Sequence, residues 1–184
     1  MSRVLLYSGG LDSWLINHLW NPDVKLYIDL GTKASKTEIE HLPSDVIIEK
    51  FDLIKHEAVD RDFYLPMRNL FLVTLASYYG EEICLGAEAN DIHLDNNGEF
   101  AVRASSLLSY LASEEGRTIK VVTPFSKLTK TDMLQAYVKQ GGSLDKAFKE
   151  SFSCYSPFHG KECKVCSSCT RKLEAFKQLG YETS

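Results

Sequence analysis

Val4 to Tyr7 form a short apolar run that ends abruptly in Ser8-Gly9-Gly10-Leu11-Asp12-Ser13. Such a run reads as a buried strand, and two adjacent glycines directly after it remove side chains where the backbone must turn. Beyond the turn, Leu15, Ile16, Leu19 and Trp20 share one face of a helix predicted over Asp12 to Trp20. A strand, a Gly-rich turn and a helix therefore open the chain. In an open parallel sheet, ligands sit at the carboxyl ends of the strands, and the loop after the first strand feeds a helix amino terminus. There, free N–H groups and the helix dipole favour an anion.

Strand-like runs recur at Val24 to Ile28, Val46 to Ile48, Ile83 to Leu85 and Ile119 to Val122. Helical patterns lie between and after them, at Asn69 to Tyr79, at Ala101 to Ala112 with Leu107, Leu108 and Leu111 as its apolar repeat, and at 168–178. A further helix, Lys130 to Gln140, has a Thr129-x-x-Asp132 capping box in front of it and Gly141 and Gly142 to stop it. Strands alternating with helices predict an α/β fold, a mostly parallel sheet with helices on both faces. No repeat, low-complexity tract or Pro/Gly linker divides the 184 residues, so the expectation is one domain over 1–184 with a cysteine-rich appendage at about 151–178.

At 44% hydrophobic and 25% charged residues, the composition suits a soluble domain that buries roughly 70% of its unfolded surface. No run approaches the roughly 18 to 20 apolar residues of a membrane span, and no secretory leader precedes the first strand. The expected location is the cytoplasm. A formal charge of −4 disfavours a broad phosphate-binding face for nucleic acid and points to a small-molecule substrate.

Cys154, Cys163, Cys166 and Cys169 stand at C-x8-C-x2-C-x2-C. In a reducing compartment this clustering reads as a metal site. Four thiolates converging on one ion leave no open coordination position, so zinc would have a structural role. An iron–sulfur cluster is the competing occupant, separable by optical absorbance. His159 reads as an exposed loop residue and Cys84 as a small buried hydrophobe in its strand.

The turn lacks the lysine of GxxxxGK[ST], which disfavours a γ-phosphate-transferring P-loop. It resembles instead SGGxDS, the pyrophosphate loop of the PP-loop ATP pyrophosphatases, and matches every fixed position. The resemblance implies cleavage of ATP between its α and β phosphates, transfer of AMP to a substrate oxygen and release of pyrophosphate. Ser8, Gly9, Gly10, Leu11 and Ser13 would cradle the phosphates with N–H and O–H donors. Asp12 has two readings, a ligand of Mg²⁺ or an acid in the first turn of its helix.

The ordered blocks SGGLDS, IDLG, YLPMRNLFLVTLASYYG, ICLGAEANDI, TPFSKLTKTDML and SFSCYSPFHGKECKVCSSCTRKLEAF resemble the 7-cyano-7-deazaguanine synthases, the QueC family of deazapurine biosynthesis. The resemblance covers most of the chain. It implies a Rossmann-like fold of the adenine nucleotide alpha hydrolase type with a four-cysteine zinc site, and a homodimer. It also implies conversion of 7-carboxy-7-deazaguanine, ATP and ammonia to the nitrile, with Ser8, Asp12, Ser13, Arg68 and Lys130 catalytic. Asp29, Arg68, Asn69, Gly86, Asp91 and Lys130 would line the pocket beside the loop.

The family usually carries Gly-Tyr-Pro-Asp-Cys-Arg after the strand-end aspartate. Here the region reads DIHLDNNGEFAVRASS, and the stretch between the second strand and Arg68 is abbreviated. His93, Asp95 and Arg103 either rebuild that part of the pocket or are loop surface. Two alternatives follow: a QueC-like ligase that passes the adenylated acid to another amine on a protein or nucleic acid, and a non-catalytic nucleotide-binding module.

Overall fold

A computed structural model describes residues 1–32, 35–51, 53, 65–89 and 93–182. In chain order the elements are β1 (Arg3–Leu6), α1 (Leu11–Trp20), β2 (Val24–Asp29), α2 (Ser35–Glu40), β3 (Ile47–Lys50), α3 (Arg68–Ala76), β4 (Glu82–Cys84), α4 (Gly98–Ala112), β5 (Lys120–Val122), α5 (Lys130–Lys139), α6 (Leu144–Glu150) and α7 (Ser167–Gln178). The five strands form one sheet in the order β3-β2-β1-β4-β5. Every described pairing is parallel, with Val4 opposite Val24 on one side and Ile83 on the other. The strand order reverses between β1 and β4, which opens a crevice at their carboxyl ends, and the Ser8–Ser13 turn lies directly after β1.

The two-residue period of the strands divides the core. Leu5, Tyr27 and Cys84 face one layer with residues of α1, α5, α6 and α7, while Val4, Leu26, Ile28 and Ile83 face the other with residues of α3 and α4. Ala175 and Phe176 of α7 belong to the first cluster, so the helix that carries Cys169 is anchored in the same layer as α1. Among the described residues no helix is long and apolar enough to cross a membrane.

All five sequence-predicted strands appear, displaced by no more than a residue or two. Two short helices were not read from the sequence. α2 and α6 have 6 and 7 residues, too few for a periodic pattern, although Ser143 caps α6 by accepting the Lys146 N–H at 3.4 Å. α4 also turns differently from the expectation. Its buried stripe is Ala101, Ala104 and Leu108, whereas Leu107 and Leu111 are 46% and 61% exposed. The i, i+3, i+7 set of two alanines and Leu108 faces the core, and Leu107 and Leu111 beside it fall on the outer flank.

Candidate active site

The turn after β1 is shaped by its two glycines. Gly9 has φ +76°, a left-handed backbone, and a Cβ there would lie 3.3 Å from Leu42 Cδ2. Gly10 is the extended N-cap of α1 and offers no side-chain cap; Ser13 ties the turn instead. Its hydroxyl donates to the Gly10 carbonyl at 3.1 Å, accepts the Ser8 N–H at 3.2 Å and lies 3.3 Å from the Ser8 hydroxyl. Hydroxyls and first-turn N–H groups of α1 thereby gather on one side of the turn, where a helix amino terminus favours an anion. They border a cavity of about 110 Å³, closed on its other sides by Lys130, by Phe152 to Tyr155, and by Ser168 and Arg171.

Three charged groups of the cavity wall, Asp12, Lys130 and Arg171, are joined by ion pairs that include Glu88. Lys130 opens α5, which a complete Thr129–Asp132 capping box fixes in place. Its ammonium lies 2.7 and 2.5 Å from the two Asp12 oxygens and 3.1 Å from Glu88 Oε1. Arg171 of α7 reaches the same Glu88 oxygen at 3.3 Å. The Glu88 side chain is only 4% exposed, and an ionised carboxylate so far from water requires cations against it. Nearby Glu38 also lines the cavity. Burial pushes its carboxyl above the ordinary carboxylate range, opposed by the Tyr27 hydroxyl, which donates to it at 2.6 Å, and by the charge of Arg68.

The predicted residues divide into groups. Ser8, Gly10, Leu11, Asp12, Ser13 and Lys130 converge on the cavity. Gly9 is buried beneath it and supplies the turn. Asp29 lies at the end of β2, where it accepts the Gly31 N–H at 2.9 Å and borders a second depression of about 450 Å³ with Thr32, Ser35 and Lys50. Arg68 is exposed at the start of α3 and lines neither space, although its charge acts on Glu38 of the cavity wall. Gly86 follows β4 with Ile16 Cδ1 3.7 Å from its would-be Cβ, outside both linings. Asp91 lies outside the described residues.

Asn69 does not line the pocket. It is buried, donating its backbone N–H to Asp95 Oδ2 at 3.2 Å and its side-chain amide to the Asp95 carbonyl at 2.9 Å. Asp95 thus fastens the start of α3, His93 is exposed, and Arg103 pairs along the surface of α4 with Glu99. None of the three lines either space. Sequence reading overlooked Glu88 and Arg171. For Glu88 a signal existed: an acid three residues beyond the apolar strand Ile83 to Leu85 sits at the carboxyl edge of the sheet, where a ligand would be met.

The four cysteine sulfurs lie within 4.8 Å of one another, and the Cys163 and Cys169 sulfurs are 3.9 Å apart. Tetrahedral thiolate coordination with metal–sulfur bonds of about 2.3 Å requires nearly that spacing, so the group can hold a metal ion. Backbone N–H groups of Val165 and Cys166 hold the Cys163 thiol below its ordinary range, whereas burial pushes Cys154 and Cys169 up. His159 is exposed and outside the cluster, and Cys84 is fully buried in β4.

The cysteine segment also grips the turn after β1. Phe152 N–H donates to the Gly9 carbonyl at 2.8 Å, and Ser153 Oγ accepts the Leu11 N–H at 2.9 Å. Ser153 is in turn held by Glu162, next to Cys163, and Glu162 pairs with the buried Lys172 at 3.0 Å. Ser153→Ala would leave the Leu11 N–H buried without its acceptor. The expected loss of unfolding free energy is about 1 to 3 kcal/mol, measured as a lower urea midpoint at unchanged slope.

Comparison with known proteins places the chain in a family. Residues 23–180 match the family described as "Queuosine biosynthesis protein QueC". A relative from Methanospirillum hungatei JF-1, named 7-cyano-7-deazaguanine synthase, is 32% identical over 221 positions, covering 99% of this chain and 97% of the relative. One of the same name from Methanosphaerula palustris is 28% identical over 218 positions, covering 98% and 96%. Both alignments are longer than the chain's 184 residues, so these relatives carry segments that it lacks. With the match spanning most of the sheet, α5 and the cysteine cluster, the chain belongs to the QueC family.

Proposed function

We propose that this chain converts 7-carboxy-7-deazaguanine, ATP and ammonia into 7-cyano-7-deazaguanine through two successive activations at the Ser8–Ser13 turn. The observation that carries the reading is the hydroxyl- and amide-lined turn at the β1/β4 crevice, facing Lys130 across a small polar cavity. Family membership and the names of the relatives point to the product, and the resemblance to the family implies the 7-carboxy substrate.

A carboxylate is a poor electrophile. Attack of one of its oxygens on the α-phosphorus of ATP forms the acyl adenylate and expels pyrophosphate. Ammonia then displaces AMP to give the amide. The amide oxygen attacks a second ATP, and loss of AMP and protons leaves the nitrile. One pyrophosphate site serves both rounds. Ser8, Gly10 and Ser13 hold the departing pyrophosphate with donors fixed in advance on the turn that Gly9 shapes, and Lys130 offsets its charge.

Asp12 is the carboxylate of the turn that would meet Mg²⁺ carried in on the phosphates. The nucleoside end is assigned to the depression beside Asp29, because α2 borders both spaces through Glu38 on one side and Ser35 on the other. Cys154, Cys163, Cys166 and Cys169 would hold zinc, whose closed four-thiolate shell serves folding. Free thiols of this kind suit the reducing cytoplasm.

The test is a product assay with 7-carboxy-7-deazaguanine, Mg·ATP and ammonium, followed by mass spectrometry and nucleotide analysis. The expected result is the nitrile with two AMP and two pyrophosphate per product. Accumulation of the amide alone, a conjugate with another amine, or release of ADP and phosphate would contradict the proposal.

A further inference from the structure

We propose that Arg171 is a second phosphate ligand of this cavity, supplied by the helix that leaves the cysteine cluster and aimed by Glu88; this rests on the turn being a pyrophosphate site. Arg171 lies in the helix predicted at 168–178 and in the cysteine-rich family block, and neither reading gave it a role.

Three observations converge on it. Arg171 lines the same cavity as Ser8, Ser13 and Lys130. Its guanidinium is held at two points, Nε against the Ser167 carbonyl at 3.4 Å and one terminal nitrogen against Glu88 Oε1 at 3.3 Å. The other terminal nitrogen has no protein hydrogen bond among the described residues, and the side chain is 44% exposed. An arginine already tethered on one edge keeps its remaining donors in a fixed fork suited to phosphate.

Charge balance gives the same answer. Asp12 and Glu88 place two carboxylates at Lys130, and a single ammonium does not offset both. Arg171 on the shared Glu88 oxygen brings that network to neutrality, so an incoming pyrophosphate meets no net repulsion from it. Its position is rigid because α7 is pinned below and above it. Cys169 belongs to the sulfur cluster, and the Lys172 ammonium, fully buried, bonds both Glu162 oxygens and the Ser151 carbonyl. The metal segment therefore contributes a binding side chain to the cavity and does not merely brace it.

The experiment is calorimetric titration of the metal-loaded full chain with inorganic pyrophosphate in the presence of magnesium, comparing the unaltered protein with Arg171→Ala and Arg171→Met. The methionine variant retains the apolar stem over α7 and guards against a folding defect in the alanine one; metal content and melting temperature are read for both. The expected result is pyrophosphate affinity lower by about tenfold or more in both variants, with metal retained and affinity for 7-carboxy-7-deazaguanine unchanged. Affinity within about twofold of the unaltered chain in the methionine variant would overturn the role of Arg171 and leave the turn as the pyrophosphate site. Failure of the unaltered chain to bind pyrophosphate at all would overturn both.

Discussion

Replacing Lys130 with methionine is expected to lower turnover with ATP by about 10² to 10³-fold, the range seen when one preorganised electrostatic group is removed from a developing negative charge. Methionine fills the same volume and removes only the ammonium. What remains is a pair of carboxylates, Asp12 and Glu88, facing the place where phosphates must enter. The Lys130 and Glu88 side chains are 10% and 4% exposed, so water screens the unbalanced charge poorly. Part of the effect will be on the fold, since stripping one partner from a buried ion pair costs about 3 to 5 kcal/mol.

The second substitution Glu88→Gln separates the two effects. In the double variant the buried charge is gone and thermal stability should return most of the way, while turnover should stay low. Recovery of turnover together with stability would show that Lys130 acts only as a structural counter-ion.

Loss of the metal should have the largest effect on stability. Cys163→Ser, or incubation with a strong zinc chelator, is expected to empty the cluster and lower the melting temperature by about 10 °C or more, given the large free energy of four-thiolate binding and roughly 2 to 4 °C per kcal/mol in a domain of this size. The damage should not stay local. Ser153, beside Cys154, holds the Leu11 N–H, and Phe152 holds the Gly9 carbonyl, so slackening the cluster releases the turn from one side. Pyrophosphate affinity should therefore fall at temperatures well below unfolding. Calorimetric melting and pyrophosphate titration with and without chelator check both statements. A chelated protein that melts as before and binds pyrophosphate as before would refute the coupling.

The fold was legible because its signals are local. The central strands β1 and β4 are short apolar runs whose adjacent residues are buried on opposite faces, and the Thr129–Asp132 box and the glycines after α5 mark a helix at both ends. The turn was legible for the same reason: six consecutive residues carry its geometry and its chemistry. Glu88 and Arg171 were not, because their meaning lies in a contact between residues 83 positions apart, and no periodicity announces such a pair. The same blindness explains Asn69. A polar residue opening a helix reads equally as a pocket wall or as a joint, and only its bonds to Asp95 show the joint. The metal segment gave its ligands through spacing alone, but its grip on the turn runs through Phe152 and Ser153, ordinary residues until the backbone folds over Gly9 and Leu11.

The most direct measurement of the central claim is a crystal structure of the metal-loaded chain with magnesium and a non-hydrolysable ATP analogue. The β and γ phosphates are expected against the hydroxyls and amides of Ser8 to Ser13, with the nucleoside extending toward Asp29. Phosphates lodged instead in the depression beside Asp29 and Lys50, with the Ser8–Ser13 turn making no contact to them, would contradict the account.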